Sequence, residues 1–404
     1  MTNLSHIIGR KKTAVPILRS DQSDEGASVR YYGLDALRAV AMALGIVLHA
    51  ALPYFNTYEK WPSDDGESLV IWVVFEFIHI WRMPLFFILG GFFGALVVKK
   101  RSWNAYRNQR WRRIGLPLIV FLPLIALVMP YIWLYGLQGS FRGGVEIESH
   151  FNPWHLWFLF HLLTFVIVMT MWNLGRQLFT ILIPSNAIRI VWRSSARALL
   201  RVIYFPVPVT LSVILMIVLI PSGAELIGNP LASFTYFLFG YGLFHHPRMM
   251  RSIKHYWVAY IVSGSVGFIV YLWTVPQVVD IYSSGGENDG LGLVFIGLKV
   301  GCAVTFSLGL IGFAEQRLNT YNSSWRWLAD SSYWVYVSHL PIVTFVTFLM
   351  FKISGPSEVK FLIAIFATSL ITLATYRFFV RRTFVGVILN GRSYEKETAE
   401  TRAR

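Results

Sequence analysis

Apolar runs alternate with short polar segments along most of the chain. A helix needs roughly 20 mostly apolar residues to cross about 30 Å of hydrocarbon. The pattern predicts ten such segments: Leu34–Phe55, Leu69–Val98, Ile114–Tyr135, His155–Trp172, Val202–Ile220, Leu231–Phe244, Tyr256–Val275, Leu291–Phe313, Tyr333–Phe351 and Phe361–Val380. Leu69–Val98 is long enough to tilt or to run past the bilayer. Pro117, Pro123 and Pro130 predict a kink in the third segment. Leu231–Phe244 is the shortest; without it the count falls to nine and the C-terminus changes sides. Helices satisfy their own backbone in lipid, so the reading is all-α: a polytopic bundle of about ten transmembrane helices.

The polar ends complete the organisation. Residues 1–33 read as a disordered basic cytoplasmic tail, 34–385 as a single transmembrane domain and 386–404 as a second cytoplasmic tail. The first long apolar stretch is a full span, so a cleavable leader is not expected. The 173–201 segment reads as a basic amphipathic surface stretch, and no internal repeat is evident.

Composition agrees with this pattern. Of 404 residues, 55% are hydrophobic and only 14% charged, against about a quarter charged in soluble domains. A single cysteine, Cys302, excludes an intrachain disulfide and argues against a thiolate metal cluster. The net charge of +15 would point to nucleic acid in a soluble protein. Here it sorts by side: 29 of the 36 Lys and Arg, counting Arg377 at the C-terminal end of the last span, fall in the tails and alternate loops, against four (Lys60, Arg142, Lys352, Lys360) on the other side. Arg38, Arg82 and Lys299 lie within spans. The positive-inside rule then puts both termini in the cytoplasm. The expected partner of the basic face is the lipid bilayer, and no nucleic acid is needed to explain it.

Ionisable residues inside spans carry the chemical interest, because burying them in lipid is costly. On the first span Asp35 and Arg38 are i,i+3 neighbours, and Arg38 shares a face with His49 eleven residues later, about 16 Å along the axis. On the second, Glu76, His79 and Arg82 form a stripe at three-residue spacing. That span runs inward, so His49 and the Glu76–His79 pair lie at similar depth. An ion-paired packing stripe and a reactive site are both open readings. Gly90, Gly91 and Gly94 permit close helix approach or a ligand against backbone. The loop KKRSWNAYRNQRWRRIGLP at the inner end carries Arg107, Arg110, Arg112 and Arg113. The positive-inside rule covers most of that density, yet arginine forks also suit phosphates. PWHLWFLFHLL places His155 and Trp157 at an outer mouth with His161 deeper, and SSYWVYVSHLPIV places His339 beside Pro341. Lys299 is a buried cation with no evident partner in the sequence. Motifs for zinc hydrolysis, serine hydrolysis and nucleotide phosphate loops are absent, and no metal is expected.

Arg38, ten intervening residues and His49 resemble the Arg-X10-His signature of the acyltransferase-3 superfamily of membrane acyltransferases. The blocks YYGLDALRAVAMALGIVLHAAL, FEFIHIWRMPLFFILGGFF, RWRRIGLPL, HLWFL and YWVYVSHLPIV follow that family's order across residues 31 to 350. They look most like the subgroup that succinylates osmoregulated periplasmic glucans. Gly90 stands where the family usually has serine. The resemblance implies a ten-helix inner-membrane enzyme with a cytoplasmic acyl-CoA donor, succinyl-CoA in this subgroup, and a periplasmic glucan acceptor. It implies His49 as the catalytic imidazole with Arg38 its inner partner, and Arg107, Arg110, Arg112 and Arg113 as the donor-side grip. Glu76 and His79 are then expected in the catalytic group, and Asp35, Arg82, His155, Trp157, Lys299 and His339 along the substrate path. Glucan synthesis machinery is an implied partner, and a homo-oligomer is compatible. An O-acetyltransferase of another envelope polymer, and a proton-coupled transporter or glycan flippase, are the alternatives; the lack of an inverted repeat argues against the second.

Overall fold

The structure, a computed structural model, describes residues 30–55, 61–143, 152–182, 190, 194, 210–215, 229–284 and 289–390. Every regular element among them is helical. In chain order these are α1 (Tyr32–Ala51), α2 (Leu69–Lys100), α3 (Trp103–Arg110), α4 (Leu116–Gln138), α5 (Trp157–Leu182), α6 (Pro230–His245), α7 (Pro247–His255), α8 (Trp257–Ser283), α9 (Asp289–Arg317), α10 (Ser323–Met350), α11 (Ser357–Thr375) and α12 (Phe384–Asn390). The chain divides into an N-terminal segment, Met1–Tyr31, and a helical body, Tyr32–Arg404.

Eight helical stretches among the described residues are long and apolar enough to cross a membrane. The expected Leu231–Phe244 span is α6, a 16-residue helix, about 24 Å long and so shorter than a typical hydrocarbon core. Of the expected Val202–Ile220 span only 210–215 are described, and they are helical. Most of 173–201 and all of 1–29 likewise fall outside the described residues.

Two expectations change. The basic 99–113 segment is not a loop: Ser102 caps α3 by accepting from the Ala105 N–H at 3.1 Å. A wider π-type turn, Trp111–Gly115, then joins α3 to α4 in one helical run from Trp103 to Gln138. Its charged surface hides it from a search for apolar runs. The body also extends past residue 386. Residues Gly386 and Leu389 of α12 are buried, and the Arg113 guanidinium donates to the Asn390 carbonyl at 2.6 Å.

Helix α2 is the centre of the bundle and packs on α1, α6 and α9, while α10 packs on α1, α4 and α11. Lipid tails are as apolar as a helix flank, so helices associate in membranes mainly through close packing. The α2–α6 contact shows how. Gly91 lies against the Phe237 carbonyl and Gly240 against the Ile88 carbonyl, so neither position has room for a side chain. Close helix approach is thus what Gly91 provides. The outer flanks stay apolar: Ile119 and Leu127 of α4, Val262 and Ile269 of α8, and Phe366 and Leu370 of α11 are exposed, as a lipid-facing surface requires.

Candidate active site

The last turn of α1, the middle of α2, the segment before α5 and the middle of α10 bring four ionisable side chains together. The His49 and His339 rings are 5.3 Å apart, and the His155 and His339 rings 5.0 Å. Arg82 joins them through Gly45, one turn before His49. A Cβ added to Gly45 would stand 2.7 Å from Arg82 Nη1 and 3.1 Å from His339 Nε2. Both groups therefore converge on bare α1 backbone.

The main chain of α10 fixes two of the imidazoles. His339 Nδ1 donates to the Tyr336 carbonyl at 2.6 Å, which leaves Nε2 as the acceptor nitrogen. His155 Nε2 donates to the Val337 carbonyl at 3.2 Å. In an unbroken helix that carbonyl would accept from residue 341. Residue 341 is proline and has no N–H, so Pro341 frees the oxygen that His155 uses. The Tyr336 hydroxyl then holds the His155 carbonyl at 2.9 Å. Nδ1 of His49, Nδ1 of His155, Nε2 of His339 and Nε of Arg82 are buried without a hydrogen-bond partner among the described residues. Buried polar atoms are nearly always paired in a packing core, so four orphans in one place mark a site built for chemistry or for a ligand.

The α2 stripe divides. His79 stays on the imidazole side, ring to ring with Phe75 at 5.0 Å and within electrostatic range of Arg82. Glu76 turns to the α8–α9 hairpin, where Tyr271 Oη donates to its Oε2 at 2.8 Å and Lys299 is the nearby cation. Glu76, expected in the catalytic group, thus bonds Tyr271 rather than an imidazole, with Lys299 within electrostatic range of it. The Lys299 ammonium lies 5.9 Å from the Phe295 ring. Trp157 packs instead beside His161, 5.1 Å between rings, and Phe87 at 6.4 Å.

The N-terminal end of α1 carries the second charge group. Asp35 and Arg38 pair at 3.3 Å, and the Arg38 guanidinium lies 5.6 Å from the Phe93 ring. Arg110 sits 5.5 Å from the Tyr106 ring and is within electrostatic range of its hydroxyl and of Arg38. Two guanidiniums are thus close together with one carboxylate, Asp35, beside them. The other expected arginines are placed differently. Arg107 donates to Asn104 at 2.6 Å, Arg112 is exposed, and Arg113 is tied to Asn390 while its carbonyl accepts from the Tyr333 hydroxyl.

Three residues beside the imidazole group were not singled out by the sequence: Trp61, Trp133 and Trp154. Trp61 stacks over His49 with centroids 6.4 Å apart, Trp133 meets Trp61 edge-on at 4.6 Å, and Trp154 lies 5.2 Å from Trp133.

A bundle of membrane-crossing helices with buried imidazoles at one end of α1 and guanidiniums at the other defines a multi-pass membrane protein with an ionisable site inside the bundle. The family model for the Acyltransferase domain matches residues 31–377, and the chain belongs to this acyltransferase-3 family. It is a multi-pass membrane acyltransferase. The chain is similar to glucans biosynthesis protein C of Salmonella gallinarum, 24% identical over 396 residues covering 93% of this chain and 97% of that protein. The same-named protein of Salmonella typhi is 25% identical over 400 residues with the same coverage. That of Salmonella typhimurium is 25% identical over 389 residues, covering 90% of this chain and 95% of the relative. No solved structure matches the chain.

Proposed function

We propose that the chain is an inner-membrane O-acyltransferase that moves succinyl from cytoplasmic succinyl-CoA to hydroxyls of a periplasmic glucan, with both termini in the cytoplasm. The observation that carries the reading is the polarity of α1: Arg38 beside Arg110 at one end, and His49 among Arg82, His155 and His339 at the other. The two groups are separated by about 16 Å of helix. A donor with phosphates at one end and its reactive carbon on a long arm suits both groups, and acyl-CoA has that shape. Succinyl follows from the subgroup resemblance, and the glucan from the name of the relatives.

In this reading Arg38 and Arg110 take the donor phosphates. His49 removes the proton of the acceptor hydroxyl, being the side chain whose ordinary pKa lies nearest neutrality. The hydroxyl oxygen forms a bond to the thioester carbon and the C–S bond breaks. The CoA sulfur leaves as thiolate and recovers the proton from the His49 imidazolium. Arg82 and His79 face the oxygen that gains charge. His339, with Nδ1–H committed to a carbonyl, presents a lone pair that orients and stabilises a protonated neighbour. The bilayer is the immediate partner; the glucan synthesis machinery and a second copy of the chain are further partners in this reading.

The test is His49→Ala in a strain lacking the native enzyme, with the envelope glucans read by mass spectrometry. Loss of succinyl substituents is expected. Normal substituent levels would reject the role of His49, and acetyl in place of succinyl would reject the donor. With purified protein, sugar flux without CoA release would reject transfer in favour of transport.

A further inference from the structure

Interfacial tryptophans usually form a belt facing the lipid headgroups. Trp61, Trp133 and Trp154 do not. They come from three separate segments, touch one another ring to ring, and end on His49. Each is only half-buried, so ring surface is left accessible at the mouth.

The cluster is also held rigidly. The segment carrying Trp61 is tied to the start of α11 and to the turn after α1. Lys360 donates to a buried Asp64 carboxylate at 2.7 Å, Ser357 Oγ to the Gly66 carbonyl at 3.1 Å, and Ser68 Oγ to Glu358 at 2.6 Å. The Asp64 N–H donates to the Pro53 carbonyl at 2.9 Å and the Ser68 N–H to the Tyr54 carbonyl at 3.0 Å. Trp154 is the one described non-glycine residue with positive φ, +49°. The left-handed region is unfavourable for a bulky side chain. The Asn152 side chain holds it there by accepting the Trp154 N–H at 2.9 Å. Residues kept in such a conformation cluster at ligand sites, and this one precedes His155.

We infer that Trp61, Trp133 and Trp154 are the acceptor subsite, an aromatic platform for a pyranose ring. An indole face is broad, apolar and carries negative charge density, which suits the polarised C–H face of a sugar. A sugar stacked there keeps its hydroxyls at the ring edge, free to reach the imidazoles below. The inference deepens the acyl-transfer reading by assigning residues to its carbohydrate acceptor.

Two measurements on the full chain in lipid nanodiscs test it. The first needs no donor: binding of β-linked glucohexaose by saturation-transfer NMR. The Kd is expected to rise about tenfold in Trp133→Ala and less in Trp133→Phe, which keeps an aromatic face. The second compares succinyl transfer to glucohexaose with transfer to glycerol, which has no ring to stack. The glucohexaose KM is expected to rise about tenfold in Trp133→Ala, with the glycerol and succinyl-CoA KM within about twofold. An unchanged Kd and KM for glucohexaose in both variants would overturn the subsite. So would equal loss of transfer to both acceptors, which would make the cluster a packing element. Tryptophan-dependent sugar binding without CoA release in the wild-type protein would keep the subsite and refute acyl transfer.

Discussion

Gly45 offers the sharpest perturbation of the imidazole group. An alanine there places Cβ 2.7 Å from Arg82 Nη1, where ordinary contact begins at 3.4 Å, so the guanidinium must withdraw by about 0.7 Å. The same Cβ crowds His339 Nε2 at 3.1 Å. Arg82 Nη1 is the end of a long side chain, so the backbone need not move. In addition, Gly→Ala in a helix interior stabilises by about 0.5–1 kcal/mol. Stability should therefore hold within about 1 kcal/mol while the site loses its geometry. Misplacement of a catalytic group by 1 Å can cost about a hundredfold in rate, so kcat/KM for succinyl transfer is expected to fall about 10- to 100-fold. The assay is CoA thiol release in nanodiscs with a glucan acceptor, run beside thermal unfolding. Gly297→Ala, where nothing lies within 4 Å of the added Cβ, is the control. Full activity in Gly45→Ala would refute the convergence of Arg82 and His339 on α1 as a requirement of the reaction.

Three further outcomes follow from the same geometry. Pro341→Ala restores an N–H that competes with His155 for the Val337 carbonyl; the unfolding temperature should hold or rise while kcat falls about tenfold, the effect of losing about 1.4 kcal/mol of orientation. Glu76→Leu leaves the buried Tyr271 hydroxyl without its acceptor and should destabilise by about 1–3 kcal/mol, with Glu76→Leu/Tyr271→Phe recovering most of it in thermal unfolding. Arg110→Ala should raise the acyl-CoA KM about tenfold or more, whereas Arg113→Ala, which loses the Asn390 bond, should lower the unfolding temperature and leave that KM within about twofold.

Much of the buried ionisable group was legible because charge inside an apolar run is conspicuous. Arg38, His49, Arg82, His155 and His339 all stand out by that test, and the structure gathers the last four. The α2 stripe misled because of helical drift. Glu76 and Arg82 are six residues apart, which leaves them about 120° apart around the axis, enough to face different neighbours. Glu76 thus reaches Tyr271 while Arg82 reaches α1. Helix α3 was hidden by its charge, since apolar runs reveal only helices with an apolar face. The tryptophan cluster left no local signal: its members lie 72 and 21 residues apart in the chain, and tertiary structure alone unites them. Gly45 was equally silent, because it acts by lacking a Cβ; Pro341 was visible beside His339, but its effect through the missing N–H falls on His155, 186 residues away in the chain.

The central claim is that a thioester loaded on one side of the bilayer meets a hydroxyl from the other side at the His49 end of α1. Proteoliposomes test it directly, with succinyl-CoA supplied only to the face bearing Arg38 and Arg110 and glucan only to the face bearing Trp61. Succinyl on the glucan, abolished by His49→Ala, is the predicted result. Transfer only when donor and acceptor share one compartment would contradict it.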